Sequence, residues 1–160
     1  MARDHEFTAR FSYPVDADAV YQLLTDTAFL KARSEAFGER EVEVKKHGNT
    51  ITNLRLIDVE LPAFARALFA PTNTVLDLKV WDPATRTAKF TVDVKNVPTR
   101  VGGTVKIVPT ETGCDYIVDV QVSCKVPLIG GKLEVFVASA TNKALDREYE
   151  YNRSKLAEPR

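Results

Sequence analysis

Histidine and cysteine are scarce in this chain, with two of each among 160 residues. His5 lies near the amino terminus and His47 in a predicted turn, so a His-rich metal site is excluded and a His-based triad has little material. No Gly-x-Ser-x-Gly elbow occurs. Cys114 and Cys124 lack the close spacing of a zinc pair. On one continuous strand they would stand roughly 33 Å apart, too far for a disulfide. They share one face of that strand and read as small core residues, free thiols in keeping with a reducing compartment. An excess of charge is missing too. The 22 basic residues balance 22 acidic ones and form no basic block, so nucleic acid is not an expected partner. No apolar run approaches the length of a membrane span, and Met1-Ala-Arg-Asp-His-Glu-Phe7 lacks the apolar core of a signal peptide. Stable membrane insertion is therefore not expected, and a cytoplasmic location is. Repeats, low-complexity tracts and Pro- or Ser-rich linkers are lacking, so one domain over residues 1–160 is expected.

What remains is an ordinary globular composition, 44% apolar and 28% charged, with clear periodicity. Phe7, Ala9, Phe11 and Tyr13 alternate as a strand that ends at Pro14. Asp16 is placed to cap a helix carrying Ala19, Val20, Leu23 and Leu24. Asp26 is placed to cap a second, with Ala28, Phe29, Leu30 and Phe37, which Gly38 stops. From there the period is two. Val42 and Val44 form a strand, His47-Gly-Asn-Thr50 a hairpin turn, and Ile51 to Leu61 another strand whose alternation slips near Leu56-Ile57, the mark of a bulge. Leu61 to Phe69 reads as one or two helical turns. Leu76, Leu78 and Val80 alternate opposite Asp77 and Lys79. Phe90, Val92 and Val94 follow, then Val101, Val105 and Ile107. The cleanest strand is Tyr116, Val118, Val120 and Val122. From Leu133 to about Leu156 a helix of roughly 36 Å places Leu133, Val137, Ala140, Ala144 and Tyr151 on one face.

Between the last strand and this helix stands Val126-Pro-Leu-Ile-Gly-Gly-Lys-Leu-Glu134. Pro127 ends the strand. Leu128 and Ile129 read as buried corner residues, and Gly130-Gly131 as a close backbone passage. Glu134 is placed to favour the helix dipole or reach back as half a capping box. A phosphate cradle would need Walker spacing of Gly, Lys and Ser/Thr, and only Lys132 fits.

A half-alternating sheet needs a cover, and only the last helix is long enough to provide one. The expected class is α+β, an antiparallel sheet of about seven strands curved around a long C-terminal helix, with two short helices after the first strand. This order resembles the helix-grip fold of the START-like (SRPBCC) superfamily. Asp26-Thr-Ala-Phe-Leu30, Glu60-Leu-Pro62, Trp81 and the Val126–Glu134 stretch resemble a bacterial family within it, domain of unknown function 2505. The resemblance implies a hydrophobic cavity between sheet and helix that holds a lipid, fatty acid, sterol-like or polyketide-like molecule, with no cofactor. The residues placed at that cavity are Phe64, Leu68, Leu78, Val80, Phe90, Val92, Val118, Val120, Leu133, Val137, Ala140 and Ala144.

Several choices stay open at this level. Ala140 and Ala144 either leave space for a ligand or let the helix press on the sheet. Arg147, Glu148 and Tyr151 are either a polar mouth or a projecting helix end. Leu61–Phe69 is a lid or a core plug, and Trp81 a rim residue or an anchor. Asp77, Asp93, Asp115 and Asp119 read as solvated strand faces. Binding or transfer of a small apolar molecule is the first functional reading. A cyclase, aromatase or dehydratase is the second, and an interaction module without an open cavity the third.

Overall fold

The computed structural model describes residues 5–67 and 69–157. Its elements in chain order are β1 (His5–Tyr13), α1 (Ala17–Leu24), α2 (Thr27–Ala36), β2 (Arg40–His47), β3 (Thr50–Asp58), a 3-10 turn (Ala63–Ala65), β4 (Thr72–Asp82), β5 (Thr87–Val94), β6 (Thr99–Thr110), β7 (Gly113–Cys124) and α3 (Gly130–Leu156). One seven-stranded sheet has the order β1-β7-β6-β5-β4-β3-β2, with every neighbouring pair antiparallel. The expected helix-grip architecture is present. Among the described residues no helix is long and apolar enough to cross a membrane.

The caps sit where the side chains call for them. Asp16 accepts from the Ala19 N–H at 2.8 Å, and Asp26 from those of Ala28 and Phe29 at 3.0 and 3.2 Å. Each satisfies amides that the first helical turn leaves unpaired. The expected bulge lies elsewhere. β3 pairs with β4 without interruption, and the irregularity falls on β2 between Arg40 and Glu43, where Glu41 has φ +51°. The alternation of β3 slips because its inward face carries Asn53 and Arg55, not because its register shifts.

α3 packs chiefly on β1 and β7. Leu133 and Ala138 are buried there. Farther along, the Tyr149 ring stacks on Phe11 at 4.9 Å while its hydroxyl donates to the Ser12 carbonyl at 2.7 Å. Both cysteines are free and buried, and burial pushes each thiol up to about 11. Trp81 is a core anchor, 3% exposed and edge-on to Tyr21 at 5.3 Å. Ala65 and Phe69 are buried as well, so the segment that holds them belongs to the core. Leu68 lies outside the described residues.

The turn into α3 separates its two glycines. A Cβ on Gly130 would meet the Cys124 carbonyl oxygen at 2.7 Å, whereas one on Gly131 would meet nothing within 4 Å. Close packing therefore accounts for the first glycine alone. Glu134 differs from expectation: its buried carboxylate accepts from the Cys124 N–H at 3.0 Å, tying strand end to helix start. Leu128 differs too, because φ +71° turns its side chain fully into solvent. Gly130→Ala is expected to lose about 1–3 kcal/mol by overpacking. Gly131→Ala is expected to gain a few tenths to about 1 kcal/mol from helix propensity. Urea midpoints of the two variants should move in opposite directions.

Candidate functional site

Because α3 leans on β1 and β7, a gap remains between it and the middle of the sheet. Short side chains on α3, Ala140 and Ala144, border it. The result is a cavity of about 340 Å³. Its apolar wall includes Ile57, Val75, Phe90, Val92, Val101, Val105, Val118 and Val120 from the sheet, and Val137, Ala140, Ala144 and Leu145 from α3. A wider depression on the outer face is open to solvent and lined by exposed polar side chains such as Lys89, Asp93, Arg100 and Gln121. It has no comparable apolar enclosure.

One end of the inner cavity is polar, lined by Glu39, Arg55, Asp77, Lys79, Tyr116, Arg147 and Glu148. Arg55 organises it. Its Nε lies 3.1 Å from Glu39 Oε1 and its Nη1 3.0 Å from Asp77 Oδ2, while Nη1 also donates to the Asn53 carbonyl at 3.2 Å. Asn53 is the cross-strand partner of Asp77, so Arg55 reaches Asp77 diagonally across the sheet. Glu148 lies 3.4 Å from Arg33, which donates to Asn152 at 3.1 Å. A second cavity of about 50 Å³ shares Asp77, Lys79, Tyr116 and Glu148 and reaches toward Leu24 and Leu30.

The environment shifts these groups in opposite directions. Burial holds the Asp77 carboxyl above its usual range, against the pull of Arg55. The Asp77 side chain nonetheless keeps 36% of its surface accessible and lines the cavity. Burial lowers the Lys79 ammonium, against Glu148 and Asp77. The Lys79 nitrogen lies 5.9 Å from the Trp81 ring centroid and 6.0 Å from that of Phe90. Tyr116 is raised by burial and stays a protonated phenol at neutral pH.

Phe90, Val92, Val118, Val120, Val137, Ala140, Ala144, Arg147 and Glu148 border the cavity, as does Leu78. Val80 does not: it is 45% exposed on the outer face. The reason is the orientation of β4, whose inward residues are Asn73, Val75, Asp77, Lys79 and Trp81. Leu133 is wholly buried beneath the turn into α3 and lies off the cavity wall. Phe64 packs edge-on against Phe136 at 6.3 Å. Tyr151 sits between Phe29 and Phe37, at 5.8 and 5.6 Å, and fastens the end of α3 to α2 instead of forming the mouth. Arg147 lines the cavity, its guanidinium 4.3 Å from the Phe37 ring centroid. Asp77 and Lys79 are the residues that alternation assigned to the wrong side. Asp93, Asp115 and Asp119 keep to the outer face, where Asp115 accepts from Ser12 at 2.8 Å and Asp119 from Thr8 at 2.6 Å. Among the described residues no cluster of three metal-ligating side chains occurs.

Residues 8–156 match a family described as proteins of unknown function, DUF2505. The chain belongs to that family. Solved structures share the fold of this DUF2505 chain. A protein from Thermus thermophilus aligns with a TM-score of 0.70 at 18% identity, over 96% of this chain and 100% of its own. The Zhui aromatase/cyclase of a Streptomyces species aligns at 0.68 and 13%, over 98% and 96%. Norcoclaurine synthase from Thalictrum flavum aligns at 0.70 and 11%, over 99% and 89%. At such identities the likeness is one of fold. No curated protein resembles the sequence closely enough to count as a match.

Proposed function

We propose that this DUF2505 protein binds a small amphipathic molecule in the cavity between sheet and α3. The apolar body lies among the valines and the polar head at the Arg55–Asp77–Lys79 end. The observation that carries this reading is the mixed lining of one cavity, mostly apolar and ion-paired at the Arg55 cluster. A volume of about 340 Å³ is at the lower end of the range of about 300–1,000 Å³ for small-molecule sites. At about 30 Å³ for a water-sized group, it holds on the order of a dozen non-hydrogen atoms. That suits a short acyl chain or two fused rings, and it is too small for a sterol or a phospholipid. The even balance of 22 basic and 22 acidic residues supports a small molecule over nucleic acid as partner.

A second reading is acid–base chemistry on the same ligand. It is favoured by Asp77 and Lys79, two inward groups on one strand that burial shifts toward their neutral forms. That two structural neighbours are an aromatase/cyclase and a norcoclaurine synthase agrees with it. Native mass spectrometry of protein purified from its own host tests binding. A co-purified molecule of this size is the expected result, and turnover of that molecule would single out the enzyme.

Ala144→Leu supplies a further test, since it adds three carbons at the cavity wall. Stability should hold or rise, at about 0.8 kcal/mol per methylene group buried. Uptake of an environment-sensitive apolar dye should fall. A lowered melting temperature, with no dye uptake by the parent protein, would mean that the space is already closed and end the binding reading.

A further inference from the structure

We infer that the head group accepted by this cavity is a carboxylate, received by the Lys79 ammonium and the Tyr116 hydroxyl; this rests on the binding reading above. The argument is one of unspent donors. Glu39 and one oxygen of Asp77 are committed to Arg55, and Glu148 to Arg33. The other Asp77 oxygen has no partner, but it is wholly enclosed and beyond a ligand's reach. Lys79 and Tyr116 both line the cavity, and among the described residues neither side chain makes a hydrogen bond or an ion pair. The end wall thus holds two donors without a partner, Lys79 and Tyr116, while each of its carboxylates already faces an arginine, so its complement is a ligand that brings acceptors.

The charges point the same way. Arg55 stands between Glu39 and Asp77, and Arg33 beside Glu148, whereas among the described residues Lys79 and Arg147 line the cavity with no carboxylate at ion-pair distance. An anionic head supplies that missing partner. A cationic head would stand against the Lys79 ammonium, and an alcohol would leave the ammonium without a counter-charge. Lys79 is half-buried between Trp81 and Phe90, where the rings displace part of its water and strengthen a charge-assisted hydrogen bond.

Titration calorimetry of the full chain with decanoate, decanol, naphthoate and naphthalenemethanol separates head from body. Each acid that enters should bind at least about tenfold more tightly than its alcohol, the effect of one charge-assisted hydrogen bond. Lys79→Met should abolish that margin, weakening the acids by more than the alcohols. Tyr116→Phe should narrow the margin several-fold, and it serves as the deciding variant if thermal melts show Lys79→Met to be unfolded. Acids and alcohols binding alike, or a margin that survives these substitutions in folded protein, would overturn the carboxylate assignment while binding itself stands. If none of the four compounds binds, the binding reading fails, and this inference with it.

Discussion

Arg55→Met should destabilise the protein by about 3–5 kcal/mol near neutral pH, because it strands two carboxylates that share one buried cation. Arg55 and Glu39 side chains are each only 11% accessible, so water cannot replace the lost partner well. The loss should depend on pH, with a definite sign. Burial already raises the Asp77 carboxyl above its ordinary value of 3.8. Between that value and the raised one, the folded protein holds more protons than the unfolded chain. Its contribution to stability is therefore full at low pH and is lost as pH rises through the folded value. Without Arg55 the carboxyl moves higher still and the window widens. Urea unfolding at about pH 5 and about pH 8 should show the variant closer to the parent at the lower pH. A loss of equal size at both would mean that Glu39 and Asp77 are hydrated, and the site is not the dry cluster described above.

Gly103→Ala should be more damaging, leaving little or no folded protein at room temperature. Gly103 has φ +152°, and an added Cβ would sit 1.8 Å from the Asp119 carbonyl oxygen on β7. Both partners in that clash are backbone, so no rotamer relieves it. An expected penalty above about 4 kcal/mol consumes much of a domain's stability. Gly102→Ala is the internal control. Its Cβ would approach the Phe90 carbonyl at 3.2 Å and its φ is ordinary, so a loss of about 1 kcal/mol is expected. Circular dichroism of the pair settles the matter, and equal behaviour of the two variants would refute the steric account. The bare Gly103 also admits the Phe90 ring, whose nearest atom would stand 3.3 Å from such a Cβ.

Much of the fold could be read from the residues. Asp16 and Asp26 announced their helices, Tyr116 to Val122 their strand, and the Pro127–Gly131 turn the start of α3. The site was legible only in part, and β4 shows why. Alternation reveals which residues share a face but not which face points inward. Leu76, Leu78 and Val80 outweigh Asp77 and Lys79 in apolarity, which points Leu78 and Val80 toward the cavity. The contrary signal lay farther along: Val75 and Trp81 occupy the same face as Asp77 and Lys79 and are 6% and 3% exposed. Arg55, inward on the neighbouring β3, supplied the matching charge. No pattern within one strand connects Arg55, Asp77 and Glu39, because the ion pairs exist only after the register of β3 on β4 is set.

The orientation of β4 has a consequence for how the chain reaches its native state. The sheet keeps Leu76 and Val80, 37% and 45% exposed, outside while Asp77 and Lys79 stay within. A slip of one residue between β4 and its neighbours would exchange the two sets, burying Leu76 and Val80 and releasing the charges to water. By hydrophobic transfer alone, the slipped pairing competes with the native one during assembly. What selects against it is the remainder of the strand, since Val75 and Trp81 would be expelled by the same slip and Arg55 would lose Asp77. The charged cluster thus acts as a latch on strand alignment, and the chain is exposed to misassembly until β3 and β4 have closed it.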